Sequence, residues 1–119
     1  MIVTVTLNPS IDRTAPIAGP LRRGQVNRLG SSTEVAAGKG VNISRVLRGA
    51  GIETCAVVPA GAKGRLTLGL NHDDIPHQVV PVAAAVRTNL TITEPDGTTT
   101  KINEPGADLS PEELTAVEE

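Results

Sequence analysis

The spacing of apolar residues along the chain predicts short strands and helices in alternation. Residues 2–7 (IVTVTL) alternate β-branched and apolar positions, which is typical of a strand. Over residues 41–50 the apolar positions recur at i, i+3, i+4 and i+7, which predicts a helix with one face turned to the core. The residues of that face are Ile43, Val46, Leu47 and Ala50. The residues of the opposite, polar side are Asn42, Arg45 and Arg48, and Gly51 is suited to end the helix.

The elements around this helix are shorter. The pair Asn8-Pro9 interrupts the first pattern, so the sequence NPSIDRT predicts a break after the first strand, and residues 14–36 predict small strands of a meander. Apolar runs at 53–58 and 77–82 predict two further strands. The sequence GAKGRLTLGLNHDD, starting at residue 61, predicts a glycine turn followed by a short helix.

The last third of the chain carries two stronger local signals. Asp96-Gly97 lies between the threonine-rich runs RTNLTIT and TTTKIN, which predicts a β-hairpin. Ser110, Pro111 and Glu113 have the spacing of a helix start, with a capping hydroxyl, a proline in the first turn and a glutamate three residues after the cap. Because this helix has barely two turns and no stop signal before residue 119, we expect the sequence to continue in a longer protein.

Composition narrows the class of protein. The chain has no Phe, Tyr or Trp, so its core is expected to consist of Val, Leu, Ile and Ala, and base stacking on aromatic rings is excluded. The single Cys55 cannot form an internal disulfide and is expected to act as a small core residue. No apolar run has membrane-spanning length and no signal peptide is evident, which favours a cytoplasmic protein without a membrane or nucleic-acid partner.

Charge is distributed unevenly. Residues 1–65 contain nine basic and three acidic residues, a net charge of +6, whereas residues 66–119 contain two basic and ten acidic residues, a net charge of −8. The basic first half suits a small anionic ligand but has no run of like charges typical of nucleic-acid binding.

The helix at 41–50 begins after an unusual turn, Gly38-Lys39-Gly40. The first turn of a helix has free N–H groups and partial positive charge, and glycines allow a ligand to approach them closely. Lys39 adds a formal charge and Asn42 an amide. The pattern differs from the P-loop G-x-x-x-x-G-K-[ST], and these residues alone favour a tight turn that lets the helix pack close to a strand.

Three stretches, taken in order, resemble the phosphofructokinase-B branch of the ribokinase-like sugar kinases. They are VTVTLNPSIDRT at 3–14, AGKGVNISRVL at 37–47 and RTNLTI…DGTTTKINEPG at 87–106. The resemblance implies an α/β fold: the N-terminal part of a ribokinase-like three-layer α/β/α domain, with a small β-sheet lid. The lid strands would lie at about 14–36 and 87–103 of a single segment 1–119, and the C-terminal ATP-binding half would be absent.

Within that family the chain is most similar to the kinases of fructose 1-phosphate. The resemblance implies transfer of the γ-phosphoryl of ATP, with Mg²⁺, to the C6 hydroxyl of fructose 1-phosphate. Tagatose 6-phosphate or another sugar is the alternative substrate. A different class of function, a non-catalytic fragment that binds a sugar phosphate or dimerises, stays open. Relatives often form a homodimer through the lid sheet, so the same contact is expected here.

The resemblance also implies substrate-binding residues. Asp12 would accept hydrogen bonds from sugar hydroxyls, and Arg87 would bind the phosphate of the substrate. The turn and helix start would line the sugar site through Gly38, Lys39, Gly40 and Asn42, with Lys101 and Asn103 as further candidates. Structural explanations stand beside these roles: a turn cap for Asp12, a surface strand position for Arg87 or Lys101, and a solvated loop charge for Lys39.

No catalytic residue is expected in the chain itself. The family's catalytic base lies in a G-A-G-D motif near the C-terminal end, beyond residue 119. Asp108, in the sequence PGAD, follows the hairpin and is interpreted as a loop residue. The residues His72, Asp73, Asp74 and His77 lack metal-ligand spacing and are interpreted as a solvated turn, so no metal site is predicted.

Overall fold

Seven strands and three helices form within the residues that the computed structural model describes, 1–61, 64–106 and 108–118. In chain order they are β1 (Ile2–Val5), β2 (Ser10–Pro16), β3 (Thr33–Ala37), α1 (Lys39–Gly49), β4 (Thr54–Ala60), α2 (Arg65–His72), β5 (His77–Pro81), β6 (Arg87–Thr93), β7 (Thr99–Asn103) and α3 (Pro111–Glu118). Among these helices none is long and apolar enough to cross a bilayer. Ala62 and Lys63 of the predicted glycine turn, Ala107, and Glu119 lie outside the described residues.

The strands form two sheets. The first has the order β1-β4-β5 and is entirely parallel. The second has the order β3-β2-β6-β7, with β2 and β6 parallel and both outer pairs antiparallel. Helix α1 packs on β1 and β4, α2 packs on β3 and β2, and α3 contacts β4 and β5. The core between the sheets and the first two helices is aliphatic, as predicted, and includes Val41, Val58, Leu66, Leu70 and Ile75.

A chain of buried hydroxyl groups attaches α1 to the first sheet. Ser44 on α1 lies 2.7 Å from the hydroxyl of Thr4 on β1 and 2.9 Å from that of Thr54 on β4. Thr54 in turn donates to the carbonyl of Ile2 at 2.8 Å. The three hydroxyls are at most 8% exposed, so each bond satisfies a polar group that water does not reach. The result is a close helix–strand contact made by small side chains.

The predicted inner face of α1 is wrong. Ile43 is 53% exposed and Val46 71% exposed, whereas the buried residues are Gly40, Val41 and Ser44. The helix lies closest to β1 and β4 at Gly40 and Ser44, where a Cβ on Gly40 would meet Thr6 and where the Ser44 hydroxyl contacts Thr4, so small side chains occupy these two positions. Arg45, predicted on the polar side, donates to the carbonyl of Ala36 at 2.5 Å and is 3.0 Å from Asp73, and so links α1 to β3 and α2.

The sequence NPSIDRT was predicted to form a break after the first strand, and this prediction is wrong for the residues that follow Pro9. Strand β2 begins at Ser10, because β3 and β6 supply hydrogen-bonding partners along both of its edges. Tertiary pairing thus overrides the turn-forming residues Ser10 and Asp12. The predicted meander of small strands is absent between β2 and β3, where the structure describes every residue. This connection contains one isolated β-bridge, which pairs Ile17 with Leu29.

The local signals were predicted correctly. Gly97 has φ +92° in the hairpin turn, where Asp96 accepts from the Thr98 N–H at 2.9 Å, a bond that lowers the pKa of Asp96. Gly51 has φ +77° just after α1. At the start of α3 the hydroxyl of Ser110 accepts from the Glu113 N–H at 3.1 Å, and the Glu113 carboxylate accepts from the Ser110 N–H at 2.9 Å.

We expect Ser44→Ala to lower the free energy of unfolding by about 1–3 kcal/mol, because it leaves the buried Thr4 hydroxyl without its partner. Urea denaturation measures the change, and Ser31→Ala, at an exposed position, is the matched control. A triple change, Thr4→Val with Ser44→Ala and Thr54→Val, removes all three hydroxyl groups and should recover much of the loss. Equal stability of Ser44→Ala and Ser31→Ala would contradict the account.

We expect Ser110→Ala to lower the stability of α3 by about 1 kcal/mol, since the cap bond is lost, while Ser110→Thr keeps it. The bonds from the N–H groups of Ser110 and Ala83 lower the pKa of Glu113. The contribution of its carboxylate is therefore complete above its unfolded pKa and is lost as the pH falls through the lowered folded value. Amide hydrogen exchange of α3 measures both effects. The rates are converted to protection factors, which remove the intrinsic pH dependence of exchange. Protection factors in α3 that are insensitive to Ser110→Ala and to acid would contradict this explanation.

Candidate functional site

One face of the four-stranded sheet is polar. Residues paired across strands share a face, and alternate residues along each strand share it too. Asp12 on β2 is opposite Asn89 on β6, which is opposite Asn103 on β7, so these three side chains form one row. On the other face Ile11 and Ala36 belong to the hydrophobic core beneath α2. The polar face is therefore the one directed away from the core.

The neighbouring row contains Arg87. Arg87 on β6 pairs with Ser10 on β2, two residues before Asp12 and on the same face. Its guanidinium is 3.4 Å from the carbonyl oxygens of both Glu104 and Asn8, at the long end of hydrogen bonding, and its Nε is buried without a partner among the described residues. Arg87 is thus held loosely by neutral carbonyls, which leaves its charge available to an anion.

The turn at the start of α1 lies beside these rows. Ala37, the residue before the turn, pairs with Ser10. Gly38 has φ +138°, and a Cβ there would come 2.5 Å from the Thr6 methyl group and 3.3 Å from the Cα of Pro9. A Cβ on Gly40 would meet the Thr6 hydroxyl and come 3.0 Å from the Val5 carbonyl oxygen. Both glycines are therefore required by close packing on the end of β1.

Thr6 also satisfies the helix start. The N-cap residue, Gly38, has no side chain that could accept a hydrogen bond from the first turn. The Thr6 hydroxyl takes this role and accepts from the Val41 N–H at 3.1 Å. The capping side chain thus comes from a residue 35 positions earlier in the chain. This bond fixes the orientation of the first turn, which carries the exposed Lys39 and Asn42 side chains.

The predicted site residues are brought together only in part. Asp12, Arg87 and Asn103 share one face of the sheet. Lys101 lies on the same face, where it pairs with Thr91 in the row beyond that of Asp12 and Asn103. Lys39 is exposed, and the Asn42 side-chain oxygen Oδ1 accepts from Arg45 at 3.1 Å rather than contacting Asp12. Asp12 is half-buried in mid-strand, which excludes the turn-cap explanation, and Arg87 is half-buried as well.

Comparisons with known proteins show what this chain is similar to. No protein-family model matches the chain. The 1-phosphofructokinase of Vibrio cholerae is 33% identical over an alignment of 122 positions, which covers 98% of this chain and 37% of that protein. The crystal structure of phosphofructokinase-2 from Escherichia coli in complex with fructose-6-phosphate has a TM-score of 0.89 at 26% identity, over 98% of this chain and 39% of that one. The chain is a relative of the phosphofructokinase-B sugar kinases.

The fold is shared more widely. The nucleoside kinase of Methanocaldococcus jannaschii, an archaeal member of the ribokinase family, has a TM-score of 0.66 at 12% identity over 90% of this chain and 38% of its own. At that identity the likeness concerns the fold alone, and it agrees with the predicted ribokinase-like α/β architecture. The chain spans little more than a third of the length of the phosphofructokinase-B relatives it matches.

Sequence reasoning missed three residues of the candidate site. Ser10 is 2% exposed and donates to the Asp12 carboxylate at 2.8 Å, and Asn89 donates to the same carboxylate oxygen at 3.4 Å. Thr6 holds the helix start. Asn89 had a signal in the sequence, since it lies two residues after Arg87 and shares its face of the strand. Ser10 and Thr6 had none, because their partners are set by the tertiary structure.

The resemblance to the phosphofructokinase-B family implies Mg²⁺ together with ATP, and Mg²⁺ is bound through carboxylate oxygens. Within residues 1–61, 64–106 and 108–118, no three His, Cys, Asp or Glu side chains are grouped to hold a metal ion. Asp73 instead bonds to His72 at 3.2 Å and to Arg45 at 3.0 Å, and these two hydrogen bonds, His72 first, lower its pKa. Asp108 lies in an exposed irregular segment.

We expect Gly40→Ala to destabilise the protein strongly and Gly49→Ala, in the same helix, to stabilise it by about 0.5–1 kcal/mol. The added methyl group meets Thr6 and Val5 at position 40 and open space at position 49. Thermal unfolding followed by circular dichroism compares the two variants. If both alanines shifted the melting temperature in the same direction, the close contact between α1 and β1 would be contradicted.

Proposed function

We propose that this chain forms the sugar-phosphate site and lid of an ATP-dependent kinase that phosphorylates fructose 1-phosphate to fructose 1,6-bisphosphate. The observation that carries the proposal is the position of Arg87 beside Asp12 on one polar sheet face. A guanidinium for a phosphate and a carboxylate for hydroxyls, side by side, match a phosphorylated sugar.

Each residue has a separate task in the proposed site. Arg87 binds the substrate's existing phosphate, and the long 3.4 Å contacts of its guanidinium to two neutral carbonyl oxygens support this role. Asp12 accepts from the sugar, because Ser10 and Asn89 occupy only its Oδ1 oxygen. The turn from Gly38 to Gly40, with Lys39 and Asn42, closes the end of the site next to Ser10.

Phosphoryl transfer additionally needs MgATP, which supplies the γ-phosphoryl group and neutralises its charge, and a base for the attacking hydroxyl. We place these in polypeptide beyond the described residues. Exposed apolar side chains support this placement, since Val3, Val5, Ile43 and Val46 are each at least 53% exposed and need a cover. The present residues position the sugar, and the sheet that carries them excludes water when it closes over the substrate.

Three parts of the proposal are more specific than a sugar-phosphate kinase: the substrate, the oligomeric state and the location. Fructose 1-phosphate is preferred over tagatose 6-phosphate because the named relative from Vibrio cholerae is a 1-phosphofructokinase. A homodimer through the lid sheet is proposed because the edges of β3 and β7 lack a further strand within the described residues. A cytoplasmic location completes the proposal.

We expect Arg87→Gln to weaken binding of fructose 1-phosphate to this chain at least tenfold, since the phosphate loses its cationic partner. Isothermal titration calorimetry measures the affinity. Arg13→Gln is the matched control, because Arg13 lies on the opposite face of β2 and bonds to Ser32 at 3.3 Å. We also expect no ATP turnover by residues 1–119 alone. An unchanged affinity in Arg87→Gln would overturn the assigned phosphate site, and turnover by this chain would overturn the placement of the base.

A further inference from the structure

Asn89 has an oxygen atom whose environment is incomplete. The residue lies in the middle of β6, opposite Asp12, and its Nδ2 is 3.4 Å from the Asp12 Oδ1. Its own Oδ1 is buried and has no hydrogen-bond partner among the described residues. A buried carbonyl oxygen without a donor costs free energy, so its presence calls for an explanation.

The orientation of the amide follows from the chemistry of its neighbour. An ionised carboxylate only accepts hydrogen bonds, so the NH₂ group of Asn89 must face Asp12. Rotating the amide by half a turn would place two acceptor oxygens against each other. The Asn89 oxygen is therefore held pointing away from Asp12, as a second acceptor on the same sheet face.

Asp12 and Asn89 each have one side-chain oxygen that accepts no hydrogen bond within the described residues. Ser10 donates to the Asp12 Oδ1 at 2.8 Å, and this is the same oxygen that Asn89 contacts. The Asp12 Oδ2 takes part in no hydrogen bond within the described residues. The two acceptors that lack a donor among the described residues, Asp12 Oδ2 and Asn89 Oδ1, lie on adjacent strands, and adjacent strands are about 4.8 Å apart. Two neighbouring hydroxyl groups of one ligand can each donate to one of them.

We propose that Asn89 determines specificity by accepting a hydrogen bond from one hydroxyl of a vicinal diol while Asp12 accepts from the other. This inference rests on the proposed function, and it specifies the hydroxyls that the sugar phosphate must carry. A sugar phosphate that lacks either hydroxyl leaves one buried acceptor unpaired, and that loss is larger than the loss of a contact between exposed groups.

The test compares fructose 1-phosphate with its 3-deoxy and 4-deoxy analogues, which each lack one hydroxyl of the ring's vicinal pair. Affinities are measured by calorimetry for the 119-residue chain, for Asn89→Ala, and for Asn71→Ala, an exposed asparagine on α2 that serves as the matched control. Asn89→Val is a second variant, because a β-branched residue without a hydrogen-bond acceptor maintains the strand if alanine does not.

The unaltered chain and Asn71→Ala should each bind both analogues at least tenfold more weakly than fructose 1-phosphate. In the Asn89 variants the analogue that lacks the hydroxyl donated to Asn89 should bind as well as fructose 1-phosphate itself. The analogue that lacks the hydroxyl donated to Asp12 should still bind at least tenfold more weakly. Equal weakening of all three ligands would overturn the inference and leave Asn89 as a structural partner of Asp12. The inference also fails if the unaltered chain binds all three equally. Absence of fructose 1-phosphate binding to that chain would overturn the proposed function as well.

Discussion

The close contact between the first turn of α1 and the end of β1 determines the geometry of the whole site. Because Gly38 and Gly40 have no Cβ, the turn packs directly against Thr6, and the Thr6 hydroxyl accepts from the Val41 N–H. Since Ala37 precedes the turn and pairs with Ser10, fixing the turn fixes the register of β3 against β2. The buried hydroxyl chain through Ser44 secures the same helix one turn further on.

The register of β2 with β6 then brings together residues that are distant in sequence. Asp12 and Asn89 are 77 positions apart, yet they are direct neighbours across a parallel strand pair. A sheet holds such side chains more rigidly than a loop does, because each strand is bonded along its length. The same register places Arg87 opposite Ser10, two residues before Asn89 and on the same face of the sheet.

Elements with local chemical causes could be predicted from the sequence. The hairpin at Asp96-Gly97 and the cap at Ser110 depend on residues within a few positions of one another. The inner face of α1 could not be predicted, because the choice between Val46 and Ser44 as the buried side chain depends on how close β1 lies. For the site, the resemblance supplied Asp12 and Arg87 as candidates, but the pairing of Asp12 with Asn89 required knowing which strands are neighbours.

The central claim is that a sugar phosphate binds the polar face of the four-stranded sheet, and an NMR titration tests it most directly. Fructose 1-phosphate is added to the ¹⁵N-labelled chain and the backbone and side-chain amide shifts are followed. The account predicts shifts at Asp12, Arg87 and Asn89 and in the turn at Gly38, with little change at Arg13 on the opposite face. Shifts confined to that opposite face or to α2, or no shifts at millimolar ligand, would contradict it.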